Sequence, residues 1–140
     1  MSAGVLLITH PGVGEALIDT ATTILGELPL NIYTISPNDD EPMEDTRARA
    51  EHALSKLETG SGLIILTDAY GATPGNLAVT LGDEYKCPVI TGVNLPMLLR
   101  LMNYPYLPVD ILAEKILEAA QDGILQATPL PDRQKTGKDD

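Results

Sequence analysis

Two side chains stand where chemistry is most easily done, His10 and Asp68, each at the polar end of an apolar run. The run Val5–Ile8 is short, aliphatic and rich in strand formers, as a buried strand is. Pro11, Gly12 and Gly14 then break it, and a helical pattern follows. Pro11 disfavours the α region for the residue before it, so His10 is expected to stay extended and to point out of the strand end. A nucleophilic imidazole needs one ring nitrogen held as N–H so that the other presents a lone pair. Asp68 is the candidate that orients it, and its charge would stabilise the ring once a group is transferred to it. That group would lie near the N–H groups of Gly12, Val13 and Gly14, at the positive end of the first helix. Pro11 donates nothing, while Gly71, Ala72 and the Thr73 hydroxyl offer donors from the opposite wall. With no Lys, Arg or metal cluster nearby in sequence, such a site suits transient phosphoryl capture better than ATP hydrolysis. No Walker loop is present, and HPGVG is not a dinucleotide fingerprint.

The elements that must position these residues follow in a regular alternation. Leu17, Ala21, Ile24 and Leu25 share one face of a first helix that Gly26 stops. LNIYTIS (30–36) reads as a second strand, and Met43–Leu57 as a helix whose opposite face is charged and solvated. GLIILTD (62–68) is a third strand, apolar as a strand covered on both faces should be. Thr73 reads as the N-cap of a helix opened by Pro74, and its hydroxyl could also serve a phosphate. CPVITGV (87–93) is a fourth strand; Asn94 opens the next helix, and Asp110–Gln121 forms the last one, stopped by Gly123. ILQATPL (124–130) is an expected edge strand, and the polar tail 131–140 is expected to be disordered. The pattern implies a single three-layer α/β domain, residues 1–130, with a mainly parallel sheet and helices on both faces. If strand 2 lies on one side of strand 1 and strand 3 on the other, giving the order 2-1-3-4, the switch point falls between the strands that end in His10 and Asp68.

Composition excludes several function classes. A formal net charge of −11 argues against nucleic acid, whose binding needs clustered Lys and Arg. No apolar run approaches a membrane span and no signal peptide opens the chain, so a cytoplasmic protein without an integral membrane segment is expected. The single cysteine, Cys87, excludes a disulfide framework and a cysteine-based zinc site, and it reads as a structural thiol. His52 reads as an exposed surface residue, and His10 and His52 have no metal-ligand spacing, so no metal and no cofactor is expected. The acidic segment Asp39–Asp45 should lie away from the crevice, because a phosphorylated histidine adds about −1.5 to −2 charges.

LLITH at the first strand end, LTDAYGATPGN after the third strand and TGVNLPMLLRLM after the fourth occur in that order. Together, over roughly residues 3–125, they resemble the enzyme IIA component of the mannose-class phosphotransferase system. The resemblance implies that His10 accepts phosphate from the phosphocarrier protein HPr and passes it to a IIB partner. It matches Asp68 to the family's aspartate and Thr73 to the hydroxyl residue before the motif's proline. It also implies a homodimer that exchanges an edge strand, for which ILQATPL is the candidate. An Asp68 bond to Nδ1 would leave Nε2 free, making His10 a tele-phosphohistidine. Two departures stand out: Pro11 replaces the glycine that commonly follows the histidine, and the chain carries a short polar tail rather than a fused IIB domain. A regulatory IIA, whose phosphorylation state controls a binding partner without sugar transport, fits such a chain as well. The related phosphotransferase subunit of dihydroxyacetone kinase ranks last, since nothing signals its extra phosphotransfer domains or a kinase pair.

Overall fold

The computed structural model describes residues 2–27 and 31–128. The strands are β1 (Gly4–Ile8), β2 (Asn31–Ile35), β3 (Leu63–Thr67) and β4 (Val89–Thr91). The helices are α1 (Val13–Leu25), α2 (Met43–Leu57), α3 (Thr73–Tyr85), α4 (Leu95–Asn103) and α5 (Val109–Asp122). All four strands are parallel and lie in the order β2-β1-β3-β4. The register sets Ile8 opposite both Ile35 and Thr67, so β1, β2 and β3 end together.

Alternation along β1 builds two cores. Val5 and Leu7 face α1, α4 and α5 with Ile64, Leu66, Leu98, Leu101 and Leu112. Leu6 and Ile8 face α2 and α3 with Ile65, Leu54, Ala78 and Leu81. Every residue of β1 and of β3 is buried, which is why both strands read as unbroken apolar runs rather than alternating ones. Burying each such leucine or isoleucine contributes about 1.5–3 kcal/mol. Gly4 has no room for a side chain, because a Cβ there would meet the Leu57 carbonyl at the end of α2 at 2.5 Å.

Several boundaries differ from expectation for identifiable reasons. The strand expected over 87–93 is regular only over Val89–Thr91. Pro88 has no amide to give, although its carbonyl accepts from the Ile65 amide, and Gly92 turns away at φ +80°. Cys87 is half-buried against the α2/α3 core, and burial, helped by Glu58, pushes its thiol up to about 11. That is the behaviour of an unreactive structural thiol. Ala72, not Thr73, is the N-cap of α3, with Thr73 the first helical residue. Residues 124–128 form no strand in the single chain, and Ile124 and Leu125 are exposed. Pro129 and Leu130 of the expected edge strand, and the expected tail 131–140, lie outside the described residues. No helix among the described residues is long and apolar enough to cross a membrane.

Candidate functional site

Beyond Ile8, β1 gives way to Thr9 and then to the turn His10-Pro11-Gly12-Val13. The Val13 amide donates to the His10 carbonyl at 3.2 Å, and Gly12 sits at φ 88°, ψ −23°. This is a type II turn, with proline at its second position and glycine at the third, where a positive φ is required. The turn delivers the chain into α1 and leaves His10 half-exposed, its side chain 50% accessible.

Asp68 stands at the matching point one residue past β3, its side chain 13% accessible. One oxygen, Oδ2, accepts from the His10 backbone amide at 3.0 Å and lies 2.8 Å from ring Nδ1. A carboxylate can only accept, so Nδ1 carries the proton of that bond, and in the neutral ring Nε2 keeps the lone pair. Because amide and ring are tied to the same oxygen, the imidazole is fixed relative to its own backbone. Burial pushes the Asp68 carboxyl up, but the amide and ring of His10 outweigh it and hold the group below its ordinary value. Its other oxygen, Oδ1, is buried and has no hydrogen-bond partner among the described residues.

The proposed phosphate donors are not equally available. The Gly14 amide donates to Thr9 Oγ1 at 3.0 Å, and the Val13 amide closes the turn. Among the three glycine-loop amides only Gly12 makes no hydrogen bond within the described residues. In the segment after Asp68 that leads into α3, Gly71 is exposed at φ +87°, Ala72 gives its carbonyl to Asn76, and Thr73 is exposed with no hydroxyl partner among the described residues. Freed from capping, the Thr73 hydroxyl is open to a ligand, at the positive end of a helix. None of these three residues hydrogen-bonds His10.

Sequence reasoning missed the groups that hold the His10 carbonyl. It accepts from the Thr9 hydroxyl at 2.8 Å and from the Ser36 hydroxyl at 3.3 Å, in addition to Val13. Both hydroxyls lie one residue past a strand that runs parallel to its neighbour; a polar residue ending an apolar run was the signal for each. Beyond Ser36, the Arg49 guanidinium donates to the Ser36 carbonyl at 2.6 Å and grips both oxygens of Glu41, at 2.7 and 2.9 Å. No carboxylate of the segment 39–45 hydrogen-bonds or ion-pairs with His10. His52 is exposed and lines a separate groove of about 810 Å³ with Tyr33, Arg49 and Lys56. No group of three or more His, Cys, Asp or Glu side chains among the described residues is arranged to hold a metal.

Residues 4–121 match the family model EIIA-man, described as the PTS system fructose IIA component. The chain is 33% identical over 135 residues to the PTS system mannose-specific EIIAB component of Escherichia coli strain K12. That match takes in 93% of this chain and 42% of the relative, so the chain spans well under half of the relative's length. A shorter match, 41% identical over 51 residues, is to the putative phosphotransferase enzyme IIA component YadI of the same strain, covering 36% of this chain and 35% of that one. Among solved structures, the mannose/sorbose specific IIA subunit from Enterococcus faecalis superposes with a TM-score of 0.77 at 23% identity, covering 93% of this chain and 98% of that one. The PTS IIA protein associated with the fucose utilization operon from Streptococcus pneumoniae gives 0.73 at 23% identity, covering 97% and 99%. At that identity these two structures bear on the fold alone, which is the same.

Proposed function

Because the chain belongs to the EIIA-man family of phosphotransferase-system IIA components, we propose that it is a phosphoryl carrier that takes phosphate from phospho-HPr on His10 and passes it to a IIB partner. One observation carries the reading: a single oxygen of Asp68 binds both the amide and Nδ1 of His10, leaving Nε2 in a half-exposed ring as the free nucleophile.

In the forward step the Nε2 lone pair attacks the phosphorus of the donor's phosphohistidine in line. The N–P bond to the donor breaks as the new one forms, and the donor nitrogen recovers its lone pair. Nδ1 keeps its proton throughout, so the phosphorylated ring is cationic, and the Asp68 carboxylate lies against that charge. Preorganised opposite charge of this kind needs no rearrangement when the group arrives. The Gly12 amide and the Thr73 hydroxyl, both without partners among the described residues, are the donors proposed for the phosphoryl oxygens; Val13, Gly14, Gly71 and Ala72 shape the loops that carry them. The reverse of the same step on a IIB histidine discharges the carrier. Exposed Ile124 and Leu125 after α5 support the homodimer, as apolar surface that a second copy would cover.

The test is transfer in vitro. The chain is mixed with enzyme I, HPr and phosphoenolpyruvate and read by intact mass. One added phosphate, lost in acid and absent from His10→Ala, is expected. Label on His10→Ala, or an unlabelled chain beside fully charged HPr, would overturn the reading. Adding IIB proteins then separates transport from regulation: a carrier discharges to one of them, whereas a purely regulatory IIA does not.

A further inference from the structure

We propose that Thr9 is the positioning residue for His10, holding the ring's free nitrogen in its attacking direction through the backbone; this rests on His10 being the phosphoryl acceptor. Thr9 is fully buried, at 0% accessibility, one of few polar residues so placed. A hydroxyl has one proton and two lone pairs. The Gly14 amide can only donate, so Thr9 Oγ1 accepts from it at 3.0 Å and must spend its own proton on the His10 carbonyl, at 2.8 Å. The direction of both bonds is therefore determined, and no water can substitute at a site sealed from solvent.

This hydroxyl joins three things: the end of β1, the peptide that follows His10, and the first turn of α1. The peptide preceding His10 is held on its other side by Asp68, through the His10 amide. His10 is thus gripped at its amide by Asp68 and at its carbonyl by Thr9, and the ring, tied by Nδ1 to the same Asp68 oxygen, follows the backbone. The other bonds to that carbonyl, from Val13 at 3.2 Å and Ser36 at 3.3 Å, are longer. Gly14 is committed to the arrangement, since a Cβ there would run into the Thr34 hydroxyl and lie 3.2 Å from Thr9 Oγ1. The Pro11–Gly12 turn lies within this grip, so a chain lacking glycine directly after the histidine still presents the ring from a rigid base.

Thr9→Val keeps the shape and removes the hydroxyl; Thr9→Ser keeps the hydroxyl. Single-turnover transfer from phospho-HPr is measured over a range of HPr concentrations for wild type and both variants. Misplacing a nucleophile costs rate rather than partner binding, so Thr9→Val should lower the maximal rate on the order of tenfold or more, with the HPr dependence unchanged. Thr9→Ser should restore most of it. Nitrogen-15 spectra of the His10 ring should show a single Nδ1–H tautomer in wild type and mixed tautomers in Thr9→Val. A valine variant equal to wild type in rate and tautomer overturns the proposal, as does a serine variant as impaired as the valine one. Should Thr9→Val not fold, amide exchange of wild-type Gly14 decides: protection like that of β1 amides supports the grip, and free exchange overturns it. A wild-type chain that charged HPr does not label sinks the carrier reading, while the ring spectra still judge whether Thr9 holds His10.

Discussion

Two carboxylates stand at the same end of the sheet, and both are held below their ordinary pKa, yet they are solvated by the protein in opposite ways. Glu41 is saturated. Its Oε1 accepts from the Asn38 amide, the Thr46 hydroxyl and Arg49, and its Oε2 from Arg49 again. The Arg49 bonds come first among the causes that bring it from 4.5 to about 2. Asp68 is half-satisfied: burial works against its charge, His10 alone answers it from another residue, and Oδ1 has no partner among the described residues. A saturated carboxylate with a permanent cation is structure, locking the loop between β2 and α2. A half-satisfied one, held among the described residues by one backbone amide and one titratable ring, is poised for a change in that ring's charge. The two are physically joined, since Arg49 holds the Ser36 carbonyl and the Ser36 hydroxyl holds that of His10.

Substitutions can break this contrast or sharpen it. The largest effect belongs to His10→Ala, which should abolish acid-labile phosphate uptake while leaving the fold intact by circular dichroism. Asp68→Asn keeps an oxygen that can accept but removes the charge that answers a cationic ring. Transfer should fall by roughly a hundredfold, read in single turnover; an unchanged rate would reduce Asp68 to a turn-former like Glu41. Gly14→Ala drives a methyl into Thr34 and should cost about 1–3 kcal/mol in denaturant unfolding. The smallest effect on transfer is expected from Glu41→Gln, whose consequence lies in stability. A carboxylate depressed on folding contributes stability above its unfolded pKa that is lost as pH falls through the folded one. Wild type should therefore lose stability from about 4.5 down to about 2 on this account, and the glutamine variant should lack that part of the slope. A Glu41→Gln chain that transfers as poorly as Asp68→Asn would erase the distinction between the two groups.

Much of this arrangement was legible beforehand because it depends on local patterns. Unbroken apolar runs marked β1 and β3 as strands covered on both faces, and breakers at Pro11, Gly26 and Gly123 marked turns and stops, each a property of a few adjacent residues. His10 and Asp68 were visible as polar residues ending such runs, and their convergence followed from a parallel sheet in which β1 and β3 are neighbours. Boundaries failed by a residue or two where breakers and caps meet: β4 shortened at Pro88 and Gly92, and the cap of α3 fell on Ala72.

Which oxygen and which nitrogen meet belongs to the tertiary structure, and so does which amides remain free. Thr9, a residue between an apolar run and a histidine, gave no sign that its proton would go to one neighbour and its lone pair to another five residues on. Ser36 comes to His10, and Arg49 to Ser36, only because β2 pairs with β1 in register and α2 packs behind them. Hydrogen bonds depend on tenths of an ångström and on direction, and those are settled by how the layers pack. The order of residues determined His10, Asp68 and the sheet that joins them; packing alone decided that Nδ1 is the ring nitrogen Asp68 holds and that the Gly12 amide has no partner among the described residues.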